Sequence, residues 1–336
     1  MNKMIISFCR LLVVAGLANS LFAELPDFYK RVDGLIWVVE DLRITTQGWE
    51  KLGFPAIQQH GVVQLQDSRF RGKGSPVSVR AASGRIGQVK IDWLQPISDN
   101  NAFSEFLAEN GPGVFAIVHN VPFPQVIELE VTRYGSLGVD VLQMGASSGS
   151  LDWGLYSFLD TRAQGKYVLG LMSNSQNSLP PVFSQESPFN QSIAQYAFAV
   201  QDPAPVSEFW ESLGLPPFSI VPVEGRDQEY KGEPSNFEME LGWQRHGDVS
   251  YEWCIPLKPP TVYQDHIDRY GEGFHHLGLR VNDLDGTIEK WESMGFPVIQ
   301  SGAWGDEGKP GSGRYAYMDT YPIGGIAVEL LWSFQQ

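Results

Sequence analysis

The chain of 336 residues contains two cysteines, and this scarcity excludes whole classes of protein. Cys9 lies in an apolar N-terminal stretch that reads as an export signal, so a mature chain would keep Cys254 alone. No internal disulfide and no paired-cysteine zinc motif can form from one thiol. Cys254 lies in an apolar strand pattern between Trp253 and Ile255, which favours a buried, unreactive thiol over a nucleophile.

Basic residues are also scarce. The chain has 24 Lys and Arg against 39 Asp and Glu, which gives a net charge of −15. Such a charge repels nucleic acid and anionic lipid, and no dense cluster of Lys or Arg provides a local exception. We therefore expect no nucleic-acid partner and a small molecule as substrate.

Apolar runs of membrane-spanning length are missing. Lys3 and Arg10 precede a short apolar run at 11–18, and small residues follow, so that cleavage after Ser20 or Ala23 fits. This pattern predicts a signal peptide over the first 23 residues and an exported protein, periplasmic or secreted. The alternative is an uncleaved membrane anchor, for which the run is short. After cleavage no stable membrane insertion is expected.

A repeated pattern organises the remaining chain. The segments at 49–54, 210–215 and 291–296 read WEKLGF, WESLGL and WESMGF, and each follows a strand-like run and an amphipathic stretch. In each copy the glycine lies 14 residues after the valine that ends the strand. The glycine is expected to end the helix, because it accepts a positive φ.

A fourth copy lies between the first two. Val121 and Gly135 have the same spacing, although Pro122 and Pro124 are expected to erode the helix. Strand-like runs follow each helix, so the sequence predicts an α+β protein of four tandem βαβββ modules. A stretch rich in Ser, Asn, Gln and Pro at 174–191 is interpreted as a linker. It separates an N-terminal domain at 30–173 from a C-terminal domain at 192–336.

Two segments carry a family resemblance. YGEGFHHLGLRV at 270–281 and GIAVELL at 325–331 resemble the vicinal oxygen chelate superfamily, which includes glyoxalase I, methylmalonyl-CoA epimerase, extradiol dioxygenases and bleomycin-resistance proteins. The branch with glyoxalase I and the epimerase resembles this chain most. The resemblance implies that modules pair into curved-sheet domains around a metal ion. Its ligands would lie on the first and last strand of each module.

Four residues match those ligand positions. Strand alternation places His276 on one face with Gly278, and Glu329 lies between apolar neighbours that face the other way. Aligning the third module with the fourth places Gln195 on His276 and Glu252 on Glu329. The order Gln, Glu, His, Glu resembles glyoxalase I. One nitrogen and three oxygen donors suit a divalent ion such as Zn, Ni, Co or Mn, or Fe if the protein is a dioxygenase.

The N-terminal half lacks such a set. Its equivalent positions hold Gly34, Asp92, Ala116 and Gly170, and three of these have no ligating side chain. We expect this half to bind no metal and to act as a structural partner or an oligomer surface, with Asp92 as a leftover or a surface charge. A homo-oligomer is compatible with the sequence, but two halves in one chain can complete the site without it.

The ligand set and the resemblance indicate an enzyme. We expect an isomerase, epimerase or lyase that removes a proton α to a carbonyl, with Glu329 as the base and Glu252 as its counterpart. Arg280 and Arg314 are candidates for binding an anionic substrate group. The alternatives are an Fe(II)-dependent dioxygenase, which would need a second histidine where Gln195 stands, and a non-enzymatic binding protein. His275 is expected to face away from the site, for packing or for hydrogen bonding to a ligand.

Overall fold

A computed structural model describes residues 25–173 and 187–334 of the chain. The predicted signal peptide and residues 174–186 of the predicted linker lie outside these ranges. Within them, no helix is both long enough and apolar enough to cross a membrane.

The N-terminal half forms one mixed sheet whose strands run in the order β3-β2-β4-β5-β1-β6-β9-β8-β7. Its strands are β1 (Gly34–Val38), β2 (Gln58–Phe70), β3 (Lys73–Gly74), β4 (Val77–Ile86), β5 (Val89–Pro96), β6 (Gly113–Asn120), β7 (Val141–Ser147), β8 (Gly154–Leu159) and β9 (Val168–Met172). Its helices are α1 (Leu42–Lys51), α2 (Ala102–Asn110), α3 (Pro124–Gly135) and the single turn α4 (Arg162–Gly165).

The C-terminal half repeats this plan in the order β11-β14-β15-β10-β16-β19-β18-β17-β12-β13. Its strands are β10 (Ile193–Ala199), β11 (Ser219–Pro222), β12 (Gly225–Tyr230), β13 (Glu233–Pro234), β14 (Glu238–His246), β15 (Val249–Lys258), β16 (Gly273–Arg280), β17 (Val298–Trp304), β18 (Gly313–Met318) and β19 (Ala327–Ser333). Its helices are α5 (Ala204–Ser212), α6 (Val262–Tyr270), α7 (Leu284–Ser293) and the single turn α8 (Tyr321–Gly324).

The four predicted βαβββ modules are confirmed as an α+β fold with two curled sheets. In each sheet the first strands of two modules lie side by side and antiparallel, and the last strand of each module pairs parallel with its own first strand. This arrangement places four strands at the centre of each sheet, in the order β5-β1-β6-β9 or β15-β10-β16-β19. The first and last strands of both modules therefore lie next to one another at the centre of each sheet.

The predicted helix ends are confirmed at three glycines. Gly53, Gly214 and Gly295 follow helices α1, α5 and α7 with φ values of 94°, 96° and 92°. A residue with a Cβ atom is strained in this left-handed region, so glycine allows the chain to leave the helix at a sharp angle.

The helix of the second module is not eroded, and that prediction was wrong. Helix α3 has 12 residues and begins at Pro124. Proline is favourable at the first position of a helix, because the N–H group it lacks would have no partner there and its φ is already helical. Gly135 is the last helical residue, and Gly138 takes the positive φ of 81° instead.

The C-terminal part of the predicted linker is built into the core. Pro188–Asn190 forms a 3-10 turn, and Phe189 is fully buried. Its ring contacts Trp49 and Phe54 from the N-terminal half and stacks on Trp291 from the C-terminal half. This turn joins the two halves by packing as well as by chain connection.

The helix-covered faces of both sheets share one hydrophobic core, whereas the opposite face of each sheet has its own cluster. Trp37 donates a hydrogen bond to the Gly324 carbonyl at 2.6 Å, and Trp210 donates to the Gly165 carbonyl at 3.2 Å. Each tryptophan thereby crosses from one half to the other. The shared core leaves the inner face of each sheet free to form a site.

Candidate metal centre

The four predicted ligands lie on the four central strands of the C-terminal sheet. Glu252 is on β15, Gln195 on β10, His276 on β16 and Glu329 on β19. Ala197 lies opposite both Glu252 and His276, and Gly278 lies opposite both Gln195 and Glu329. All four side chains are buried, with at most 6% of any residue exposed.

Their polar atoms converge on one point. The Gln195 amide nitrogen donates to Glu252 Oε2 at 2.7 Å and to Glu329 Oε2 at 2.6 Å. His276 Nε2 lies 3.1 Å and 3.4 Å from the same two carboxylate oxygens. The structure therefore brings together the quartet that the repeat alignment selected.

Gly278 provides the space for this arrangement. A Cβ atom at this position would lie 2.4 Å from Gln195 Cγ, far inside van der Waals contact. The gap at position 278 is thus filled by the side chain of Gln195, which crosses it to reach the carboxylates.

The buried charges perturb one another. Burial raises the pKa of Glu252, and the nearby Glu329 carboxylate adds to this rise while His276 opposes it. Burial alone would lower the pKa of His276, but the close carboxylates of Glu252 and Glu329 outweigh it and raise that pKa to about 9. The imidazole is therefore charged at neutral pH when only protein groups surround it.

The donor set fits a divalent metal ion. His276 Nε2 is buried and forms no hydrogen bond of acceptable geometry within the described chain, although two carboxylate oxygens lie nearby. A ring nitrogen aimed between two acidic oxygens, instead of along one hydrogen bond, is oriented as a metal ligand. The Gln195 amide nitrogen points at the carboxylates here, and a half-turn of the amide would bring its oxygen to the same place. The set would then be one nitrogen and three oxygens, which suits a borderline or hard divalent ion.

Cys254 also borders this centre. It lies two residues after Glu252 on the same face of β15, and its sulfur lies within 4.8 Å of donor atoms of Glu252 and His276. The sequence correctly predicted a buried thiol, and burial raises its pKa well above the usual value. The alternation from Glu252 to Cys254 was the signal that could have placed this sulfur at the site.

A cavity of about 560 Å³ opens onto Gln195, Glu252 and Glu329 of the quartet. Arg280 lines it and is exposed to solvent, as its position on the face of His276 predicted. The apolar and aromatic part of the wall was not predicted, because these residues come from distant strands and from α6. They are Met239, Leu241, Trp243, Tyr263, Trp304, Tyr315, Tyr317 and Leu331.

Arg314 is not brought to this cavity. It follows Gly313 and precedes Tyr315, and alternation along β18 points it away from the face that Tyr315 occupies. Its guanidinium group instead forms two hydrogen bonds with the Asp285 carboxylate, at 2.9 Å and 2.8 Å. The structure therefore gives Arg314 a surface ion pair with helix α7 and no contact with the quartet.

The prediction that His275 faces away from the site was wrong, whereas the expected packing and hydrogen bonding to a ligand are present, with His275 Nδ1 2.8 Å from His276 Nδ1. The pairing of β10 with β16 passes from Ala197 opposite His276 to Phe198 opposite Phe274, so His275 is the extra residue of a β-bulge. A bulge breaks the alternation of side chains and can re-aim one of them. The His275 ring packs against Tyr263 and Tyr317, which line the cavity, at centroid distances of 5.2 Å and 5.9 Å.

The equivalent place in the N-terminal half is occupied by protein groups. Asp92 is 3% exposed, which shows that the interpretation as a surface charge was wrong. Its carboxylate accepts hydrogen bonds from Trp153 Nε1 at 2.8 Å and from the Ser83 hydroxyl, and pairs with Lys90 Nζ at 3.1 Å. These donors satisfy the Asp92 carboxylate, which is the one acidic group among the four positions equivalent to the quartet.

Comparison with known proteins finds a family match in the C-terminal half. Residues 194–317 match the profile of the Glyoxalase/Bleomycin resistance protein/Dioxygenase superfamily. The matched segment contains Gln195, Glu252 and His276 and ends before Glu329. No curated protein sequence matches the chain.

Solved structures show a likeness in fold over both halves of the chain. A variant of 4-hydroxymandelate synthase from Streptomyces coelicolor is similar over 90% of this chain and 92% of its own, with 15% identity and a TM-score of 0.62. A fusion of a xylose isomerase-like TIM barrel with a 4-hydroxyphenylpyruvate dioxygenase is similar over 91% of this chain, with 13% identity and a TM-score of 0.52. This chain spans 49% of the fusion.

The superfamily predicted from the sequence agrees with the profile match over residues 194–317, whereas no comparison points to the glyoxalase I branch. Both whole-chain likenesses are to proteins named as a synthase and a dioxygenase. At these identities the likeness establishes the fold. The ligand quartet, which differs from the two histidines and one carboxylate of dioxygenase sites, is a property of this chain's own residues.

Proposed function

We propose that Gln195, Glu252, His276 and Glu329 bind one divalent metal ion and that the protein is a metal-dependent enzyme. Its substrate is a small molecule that chelates the ion through two neighbouring oxygens. The observation that carries this proposal is the convergence of two buried carboxylates on a buried histidine nitrogen that has no hydrogen bond of acceptable geometry in the described chain.

The two carboxylates favour proton transfer next to a carbonyl. Glu252 and Glu329 come from the two outer strands of the central four, so they approach a bound substrate from opposite sides. A bound metal ion supplies Lewis-acid stabilisation of negative charge on a substrate oxygen. Glu329 accepts the proton α to the carbonyl, and Glu252 serves the opposite face. This assignment gives an isomerase, an epimerase or a lyase.

The cavity walls suit a substrate with an apolar body. Tryptophan, tyrosine and aliphatic side chains surround the space in front of the quartet, and they exclude water from the reacting atoms. Arg280 lies on the same strand as His276 and four residues further along, which separates their Cα atoms by roughly 13 Å. It can hold an anionic group at the far end of the substrate.

An Fe(II)-dependent dioxygenase is the second candidate. The whole-chain likeness to a 4-hydroxyphenylpyruvate dioxygenase fusion protein favours it and would make iron the metal. The quartet argues for the first candidate, because Gln195 stands where a second histidine would be needed. His266 does not supply one, since its Nδ1 atom lies 3.1 Å from the Tyr321 hydroxyl and its ring packs behind His275.

The metal is tested by elemental analysis of purified protein, wild type beside His276→Ala. We expect about one equivalent of Zn, Ni, Co, Mn or Fe in the wild type and a loss of at least tenfold in affinity in the variant. His119→Ala is the matched control, because His119 is equally buried but lies in the N-terminal half. Equal metal content in wild type and His276→Ala would refute the assignment.

The reaction is tested on the metal-loaded protein with a panel of hydroxy-carbonyl compounds, keto acids and catechols. Exchange of the α-proton with deuterated solvent, lost in Glu329→Gln, supports the isomerase or lyase. Oxygen uptake that requires iron supports the dioxygenase instead. Metal binding with neither activity would leave a small-molecule binding protein as the function.

A further inference from the structure

A series of hydrogen bonds runs from the Val262 carbonyl through His275 to His276, the histidine of the quartet. His275 Nε2 lies 3.2 Å from the backbone carbonyl oxygen of Val262, and His275 Nδ1 lies 2.8 Å from His276 Nδ1. Both histidine rings are fully buried. The positions of the hydrogen atoms in this chain follow from what each group can donate.

A carbonyl oxygen only accepts hydrogen bonds, so His275 Nε2 must carry the hydrogen. The buried His275 ring has a carbonyl and another imidazole as its hydrogen-bond partners in the described chain, and no carboxylate among them balances a charge, so the ring is neutral. In a neutral ring with the hydrogen on Nε2, Nδ1 holds a lone pair and accepts from His276 Nδ1. His276 then keeps its Nε2 atom, the one beside the carboxylates, as the ligand atom.

We propose that His275 is a positioning residue that fixes the tautomer and the ring orientation of His276. The Val262 carbonyl orients the His275 ring, and the His275 ring in turn orients His276. This inference rests on the proposed metal site. His275 contacts the Nδ1 atom of His276 and not the Nε2 atom that lies beside the carboxylates.

Both ends of this chain are held by the fold. Val262 is the first residue of helix α6, and its N–H donates to Gln300 Oε1 at 3.0 Å. Thr261 caps the same helix by accepting from the Gln264 N–H at 3.0 Å. The carbonyl that orients His275 therefore belongs to an anchored helix start, and the bulge in β16 turns His275 towards it.

The N-terminal half has the same β-bulge without the histidine. The bulge is therefore a feature of the fold, and the histidine occurs in the half that holds the quartet. The pairing of β1 with β6 shifts at the same place, from Ala116 to Val114, and leaves Phe115 as the extra residue. Phe115 packs against Phe103 and Phe158. In the half without a ligand quartet, the bulge residue is apolar and the position equivalent to His276 is an alanine.

The tautomer can be read directly from the wild-type protein. We expect two-bond ¹H–¹⁵N correlation spectra of ¹⁵N-histidine-labelled protein to show His275 with a bare Nδ1 and a protonated Nε2, with and without Zn²⁺. His275→Asn identifies its signals. A His275 ring that carries its hydrogen on Nδ1, or on both nitrogens at neutral pH, would overturn the proposal without any need for a metal.

The effect on the ligand is measured by titrating metal-free protein with Co²⁺ against a chromophoric chelator. His275→Phe, which installs the residue of the N-terminal bulge, should weaken Co²⁺ binding about 10- to 100-fold. His275→Asn should recover part of this loss, because its side-chain oxygen can accept from His276 Nδ1. His266→Phe is the matched control, since this buried ring contacts His275 but makes no hydrogen bond to the quartet.

The outcomes separate this inference from the proposed function. A wild-type protein that binds no Co²⁺ contradicts the metal site, and the tautomer spectrum still decides the state of His275. Wild-type affinity in a folded His275→Phe variant contradicts the positioning role and leaves the metal site intact. Equal losses in His275→Phe and His266→Phe, with no recovery in His275→Asn, would show that the ring acts by packing alone.

Discussion

At the scale of single residues, the proton on His276 would compete with the proposed metal ion. Glu252 and Glu329 raise the pKa of His276 to about 9, so the ring binds a proton at neutral pH in metal-free protein. A metal ion needs the lone pair on Nε2 and must displace that proton. We therefore expect metal affinity to rise about tenfold per pH unit below pH 9 and to level off above it.

Calorimetry can count this proton. Titration of Co²⁺ into metal-free protein at pH 7, in two buffers with different ionisation enthalpies, should show the release of about one proton per ion. The count should fall towards zero above pH 9. Release that is absent at pH 7, or that does not change between pH 7 and 10, would contradict the charged imidazole.

The quartet could be predicted from sequence, but its surroundings could not. Repeat alignment placed Gln195 and Glu252 because equivalent positions in paired modules meet at the centre of one sheet. The same alternation argument failed for His275, since a bulge inserts one residue and the sequence carries no mark of it. The pairing of Arg314 with Asp285 depends on how helix α7 packs, which strand periodicity does not describe.

At the scale of elements, strand β16 leaves room for the quartet because Gly278 has no side chain. A methyl group at Gly278 would lie 2.4 Å from Gln195 Cγ, so Gly278→Ala must push Gln195 out of the quartet. We expect Gly278→Ala to retain the fold but to bind Co²⁺ at least tenfold more weakly than the wild type. Chelator competition measures the affinity, and circular dichroism checks the fold.

Gly170→Ala is the control for this prediction. Gly170 lies in β9, the last strand of the second module, and its added methyl would meet Val118 Cγ2 at 2.9 Å, in a region without ligands. Both variants should lose stability through overpacking, by about 1–3 kcal/mol. A loss of metal affinity common to both would mean that Gly278 acts through general stability.

Helices inside the repeated pattern were predictable, and helix α6 outside it was not. Helices α1, α5 and α7 each bury a tryptophan in a pattern that repeats along the chain. Helix α6 lies between the last strand of the third module and the first strand of the fourth, where the strand–helix repeat gives no sign of it. This helix carries the carbonyl that orients His275, and only the folded structure reveals it.

At the scale of the whole molecule, the two halves are less independent than the predicted linker suggested. A Cβ atom at Gly48 in α1 would lie 2.3 Å from Ile323 Cγ2 in α8, which shows how closely the first module approaches the fourth. Sequence patterns within a module describe its own strands and helices. They cannot show that the helix-covered faces of two sheets bury each other, because the contacts join residues far apart in the chain.

The shared core predicts that both halves unfold together. Phe189 is fully buried between tryptophans of the two halves, so Phe189→Ala should lower the free energy of unfolding by about 3–5 kcal/mol. Denaturation in urea, followed by tryptophan fluorescence and by circular dichroism, should give one coincident transition in both proteins. Co²⁺ should move the whole transition to higher urea, because it binds the folded state alone.

Phe123→Ala is the matched control, since Phe123 is 66% exposed and its truncation should change stability by no more than about 0.5 kcal/mol. Two separated transitions, with Co²⁺ shifting one of them and Phe189→Ala shifting neither, would mean that each half folds on its own core. In that case the packing of Phe189 would contribute little to stability. A single shifted transition instead makes the N-terminal half a structural requirement for the metal centre, although it contributes no ligand to the quartet.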